Sequence, residues 1–152
     1  MISHLAKALL LSQVILTPTS LAQDCSALAV DHQGTIADGG TLSIDVSDGS
    51  PDAIVLMAVG RELAQTCVPV DPMGMNEVCV DVDLTQALVL PVGASDAMGD
   101  LSLVIELPPG PSGVMIEGQE LHFQAVSLVI DVSAMIPSIE TCVSNVSTVT
   151  ID

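Results

Sequence analysis

Tryptophan and tyrosine are absent from this sequence, and phenylalanine occurs once, as Phe123. Carbohydrate sites ordinarily stack their ligand on Trp and Tyr rings, so the chain lacks the material for that platform. Basic residues are almost as scarce. Lys7 and Arg61 stand against 19 Asp and Glu, giving a formal net charge of −17. Nucleic-acid binding needs several Lys or Arg on one face, and adsorption to anionic membranes needs the same, so both are excluded. The sequence contains no C-x-x-C pair and no G-x-S-x-G nucleophile signature. Nothing in it therefore announces a zinc site or a serine hydrolase.

What remains is aliphatic and acidic. Hydrophobic residues make up 49% of the 152 positions, so the core must be built from Val, Ile, Leu, Met and Ala. The β-branched members of that set fit a pleated strand surface best. The length suggests one domain. An almost wholly acidic surface serves solubility through self-repulsion, or it supplies the oxygen ligands of a hard cation such as calcium.

Residues 1–22 carry the three parts of a secretory signal peptide. Lys7 and the amino terminus give a positive start, and residues 8–16 (ALLLSQVIL) form an apolar stretch too short for a membrane span. A polar segment broken by Pro18 follows, with Ser20 and Ala22 as small residues for cleavage. Cleavage after Ala22 is expected, leaving residues 23–152 as an acidic domain with Arg61 as its one basic side chain. Residues 1–22 are expected to form a detached or loosely packed helix. Gln23 and Asp24, directly before Cys25, speak against lipid attachment there. No later run is long and apolar enough to span a bilayer, because Asp, Pro or Gly interrupts each one. The expected location is secreted, periplasmic or cell-surface, without membrane insertion.

Cys25, Cys67, Cys79 and Cys142 make an even set, which in an exported chain reads as two disulfides with three possible connectivities. The preferred arrangement is a local clip, Cys67–Cys79, and a long tie, Cys25–Cys142.

The rest reads as short strands between turns. Strands are expected at residues 26–30, 41–46, 53–59, 78–82, 87–92, 101–107, 120–132 and 147–151. The alternation of Leu42, Ile44 and Val46 with polar neighbours is the clearest, with Leu101, Leu103, Ile105 and Leu107 next. Asp38-Gly39-Gly40 and Asp48-Gly49-Ser50-Pro51 mark turns, and residues 108–113 a Pro/Gly loop. Residues 93–100 are expected to form a hairpin turn, and residues 61–76, with Pro69, Pro72 and Gly74, a loop around the clip. This pattern predicts an all-β fold, a single antiparallel immunoglobulin-like β-sandwich.

Three blocks carry a family resemblance: Gly99 with Leu101, Leu103, Ile105 and Pro108; Gly118 with Leu121, Phe123, Gln124 and Ala125; and Ser144-Asn145 with Val149 and Ile151. Residues 40–45 and 53–60 fit a first hairpin ahead of them. Together they resemble a β-sandwich module of uncharacterised function in secreted proteins of planctomycete-type bacteria, found alone or at the end of larger exported chains. The resemblance implies a fold and no reaction. The four cysteines and the poverty of aromatics depart from it.

Candidate chemistry is sparse. His32 and His122 are the histidines of the expected domain, and Asp81 with Asp83 would project from one strand face as a carboxylate pair. Calcium is the stronger candidate: Asp45, Asp48 and Asp52 bracket one turn and Asp96 and Asp100 another, although neither matches the spacing of an EF-hand loop. Asp in turns is also favoured for its own backbone hydrogen bonds. Asn145-Val146-Ser147 fits the N-glycosylation sequon, which matters only in a eukaryotic secretory route. The expected function is a non-catalytic structural or interaction module, with no resident cofactor unless calcium binds, acting through a protein partner or self-assembly. A calcium-dependent adhesion or matrix protein, a small secreted hydrolase and a pure spacer are the rivals.

Overall fold

A computed structural model describes residues 25–34, 36, 40–71, 76–106, 118–133 and 137–152. The expected signal peptide and its helix lie outside these residues, as do Asp38-Gly39 and the 108–113 loop. The described chain is all-β. After a short 3-10 turn at Cys25–Ala27 come β1 (Ala29–Gly34), β2 (Thr41–Ser47), β3 (Ile54–Gly60), β4 (Leu63–Pro69), β5 (Glu77–Val82), β6 (Leu88–Ala94), β7 (Leu101–Glu106), β8 (Glu120–Asp131) and β9 (Ser138–Thr150).

The strands form a three-stranded sheet in the order β1-β2-β7, a four-stranded sheet in the order β6-β3-β8-β9, and a separate pair, β4-β5. All the strand pairs within them are antiparallel. The first two sheets share one core. Leu42, Ile44 and Val46 project from β2, as their alternation dictates, and meet Val55 and Met57 of β3, Phe123 and Ala125 of β8 and Val149 of β9. The single aromatic side chain is buried among them.

Four expectations need correction. The first strand does not occupy residues 26–30: Cys25–Ala27 is a 3-10 turn, and β1 runs through the polar stretch Ala29–Gly34 because it pairs with β2. Residues 61–76 are not a loop throughout, because Leu63–Pro69 is a strand that pairs with β5. Residues 93–100 do not turn a hairpin. They carry the chain from β6, paired with β3, to β7, paired with β2 in the other sheet. The last strand begins at Ser138 rather than residue 147.

That last strand contains the device that closes one side of the body. Between the pairs Gln124↔Val146 and Val126↔Val143, Ala125 of β8 faces two residues of β9, Ser144 and Asn145. This is a β-bulge, which re-aims side chains. The Ser144 hydroxyl accepts the Ala125 N–H at 2.9 Å. Asn145 reaches across to β1 in the other sheet. Its Oδ1 accepts the Val30 N–H at 2.8 Å, and its Nδ2 donates to the Val30 carbonyl at 3.0 Å. A side-chain amide thus stands where a neighbouring strand's peptide group would. The Cys25–Cys142 disulfide, a parallel bridge between Ile36 and Ile151, and the Asp152 N–H donated to the Ile36 carbonyl at 3.0 Å join the same two sheets.

The β4–β5 hairpin packs on the outer face of the four-stranded sheet. Val78 and Val80 meet Val126, with Leu56, Leu84 and Leu128 around them. Gln124, 1% exposed, clasps the hairpin: its Oε1 accepts the Asp81 N–H at 2.7 Å and its Nε2 donates to the Ser144 carbonyl at 2.9 Å. A buried amide with both ends paired is tolerated, and stripping either partner would leave an unsatisfied group.

Candidate functional site

The five aspartates proposed for calcium fall in two segments that the fold brings together. Asp45 lies on β2, Asp48 and Asp52 in the β2–β3 turn, and Asp96 and Asp100 in the β6–β7 link. Backbone bonds lock the segments: Gly49 N–H to Gly99 carbonyl at 3.1 Å, and Asp52 N–H to Asp96 carbonyl at 3.3 Å. The approach is so close that a Cβ on Gly99 would overlap the Gly49 carbonyl, and the φ of +89° at Gly99 independently favours glycine. Asp48 and Asp52 both adopt φ 56°, the left-handed region that Asp tolerates better than most residues.

Two of the five carboxylates, those of Asp96 and Asp100, are engaged with the backbone. Asp96 Oδ1 accepts the Met98 N–H at 2.8 Å and the Asp100 N–H at 3.0 Å, and Asp100 Oδ1 accepts the Asp48 N–H at 3.2 Å. The amides of Asp100 and Met98 hold the Asp96 carboxyl below its ordinary value. Asp45, Asp96 and Asp100 line a depression of about 320 Å³, whereas Asp48 and Asp52 are not part of its wall. Among the described residues no three His, Cys, Asp or Glu side chains are grouped so as to hold a metal ion. At Asp96 and Asp100 the short polar side chains cap amides, as Asp does in turns.

The acid–base candidates do not converge. His32 Nδ1 lies 2.8 Å from Ser147 Oγ, and His122 Nδ1 lies 2.9 Å from Thr148 Oγ1. Ser147 and Thr148 are successive residues of one strand and point to opposite faces, so the two imidazoles sit on opposite sides of β9. Asp81 and Asp83 do not share a strand face, because β5 ends at Val82. The Asp83 carboxylate turns back to the Thr85 hydroxyl at 2.7 Å and the Thr85 N–H at 2.9 Å, which lower its pKa. In the glycosylation sequon, the Asn145 nitrogen that would carry a glycan is the one donating to Val30.

The surface that sequence reasoning missed is the side of the body opposite the Asn145 seam. There β6 and β7 are the terminal strands of their sheets, and among the described residues no strand pairs with their outer edges. Edge strands are usually protected by charge, Pro or a bulge. β6 (LVLPVGA) has no charged residue, and its first half is apolar and exposed: Leu88 60%, Val89 47% and Leu90 37%. Its second half carries the protection. Pro91 brings no N–H, and Val92 is bulged out where the register passes from Leu56↔Pro91 to Val55↔Gly93. Val104 of β7 is also exposed. Periodicity could have flagged residues 88–90 as apolar, but edge position depends on sheet order, which periodicity does not encode.

Comparison with protein-family models finds no match, and comparison with curated proteins finds none either.

Proposed function

We propose that this chain is an exported, immunoglobulin-like β-sandwich that acts without catalysis, as a structural or interaction module at the cell surface or outside the cell. Its two disulfides, Cys25–Cys142 and Cys67–Cys79, suit an oxidising compartment. Three- and four-stranded antiparallel sheets over a shared core suit the immunoglobulin-like class, with β4–β5 as an added outer hairpin. The observation that carries the interaction role is the β6 edge, unpaired among the described residues, where Leu88, Val89 and Leu90 stand exposed. The acidic surface opposes indiscriminate contact and leaves a specific edge pairing open.

The test compares the wild-type chain with Leu88→Lys/Leu90→Lys by sedimentation, both purified at several salt concentrations and in the fluid into which it is exported. The reading predicts a species larger than the monomer, strengthened by salt where two acidic copies meet and lost in the variant. A wild-type chain that is monomeric in both settings counts against it.

A further inference from the structure

We infer that the Cys67–Cys79 disulfide is a redox-sensitive latch: reduction by an external dithiol loosens the β4–β5 hairpin and uncovers the apolar strip of Leu56, Ala58, Val126 and Leu128 beneath it. This inference rests on three observations. The first concerns the hairpin's own strength. Among the described residues β4 and β5 pair only with each other, and their register is broken between Leu63 and Thr66. A lone two-stranded hairpin is marginal in water and needs packing or a cross-link to persist.

The second concerns its packing. Val78 and Val80 of β5 face the sheet, while β4 is almost wholly exposed, so β4 is held chiefly through β5. Beneath the hairpin an apolar space of about 270 Å³ remains, bordered by Leu56, Ala58, Val80, Val126 and Leu128. Side chains that border a gap forfeit part of their dispersion attraction. The Gln124 clasp and the apolar contacts hold the hairpin with less than a filled core would supply.

The third concerns access. Cys67 and Cys79 stand directly opposite each other in the ladder, and both are exposed on the side away from the sheet. Cys142 is 5% exposed and Cys25 half-buried, so the seam disulfide is shielded where the hairpin disulfide is open. Thiol–disulfide exchange requires a thiolate to reach a sulfur, which makes Cys67–Cys79 the first to react. One thiolate of the dithiol attacks a cysteine sulfur, giving a mixed disulfide and one free cysteine. The second thiolate then closes the reductant into its cyclic disulfide and releases the other cysteine. Two electrons pass from dithiol to protein, and two protons from the medium complete the cysteine thiols.

The experiment is a dithiothreitol titration of the oxidised chain, with alkylation and peptide mapping, followed by amide hydrogen exchange at each step. Cys67 and Cys79 should be alkylated while Cys25–Cys142 remains intact. Amides of β4 and β5 should then exchange roughly a hundredfold faster, the scale expected for freeing a short cross-linked loop. Those of β2, β3 and β8 should hold. Binding of an apolar-surface dye should rise and fall again on reoxidation. The Cys67→Ser/Cys79→Ser variant should match the partly reduced protein. Loss of both disulfides at one reductant concentration, or unchanged hairpin exchange after Cys67 and Cys79 are reduced, would overturn the latch.

Discussion

The two long sides of this body are finished in different ways. On the β1/β9 side the sheets are stitched by a disulfide, a side-chain amide, a short parallel bridge and a terminal backbone bond. On the β6/β7 side the sheets are connected by the chain at residues 95–100, and their outer edges stay unpaired among the described residues. Stability is therefore concentrated on one side and availability for contact on the other. Mutations on the two sides should separate: those on the seam change folding and leave association intact, and those on the open side do the reverse.

The largest expected effect is at the seam disulfide. Cys25→Ser/Cys142→Ser frees a loop with a sequence separation of 117, and the chain should lose about 4 kcal/mol in equilibrium denaturation. Asn145→Ala comes next. It strands the N–H and carbonyl of Val30, a residue only 2% exposed, and should cost about 2 kcal/mol, read from the denaturation midpoint. On the open side, Leu88→Lys/Leu90→Lys should alter stability by no more than about 0.5 kcal/mol while removing any edge-mediated assembly. A seam-sized loss of stability in that variant would mean that the β6 edge is part of the fold's support, and the contrast between the sides would collapse.

Two smaller effects concern the locked turns that join the sheets near residues 48 and 100. The Asp96 carboxyl is held below its ordinary value of 3.8 by the Asp100 and Met98 amides. Its folded pKa is depressed, so its contribution is present above the unfolded value and disappears as pH falls through the folded one. Acid titration below about pH 4 should loosen this junction. Asp96→Asn keeps the acceptor oxygen and should remove that part of the pH dependence. Calcium, titrated against a chelator, should leave the melting temperature unchanged, because Asp96 and Asp100, two of the three carboxylates lining the depression, are already engaged with amides. A rise of several degrees, absent with magnesium, would instead favour ion-linked adhesion and make Asp45, Asp96 and Asp100 the first positions to change.

Where local pattern and tertiary demand coincide, the sequence was easy to read. Leu42, Ile44 and Val46 alternate because one face of β2 is core, and the structure buries all three. β1 lies further along the chain than the pattern indicates, and β4 falls in an expected loop, for the opposite reason. Ala-Val-Asp-His-Gln-Gly and Leu-Ala-Gln-Thr-Cys-Val-Pro have little periodicity, and each is a strand because a distant partner supplies its ladder. In β9 the bulge at Ser144-Asn145 interrupts the alternation, so only its last part looked like a strand. The segment at residues 93–100 has turn chemistry, but turn chemistry does not say whether the chain returns to the same sheet or crosses to another. The candidate site suffered most. An edge is defined by what is missing beside a strand, and Asn145 acts through a partner more than a hundred residues away.

The solitary ring of Phe123, enclosed by the shared core, makes this protein its own single-site spectroscopic reporter. Without Trp or Tyr the near-ultraviolet region is almost empty, so concentration is better measured from peptide-bond absorbance or amino-acid analysis. In return, every aromatic proton signal outside the histidines comes from one place. A fluorine label on that ring would give one resonance for the interior, undisturbed by events at either edge.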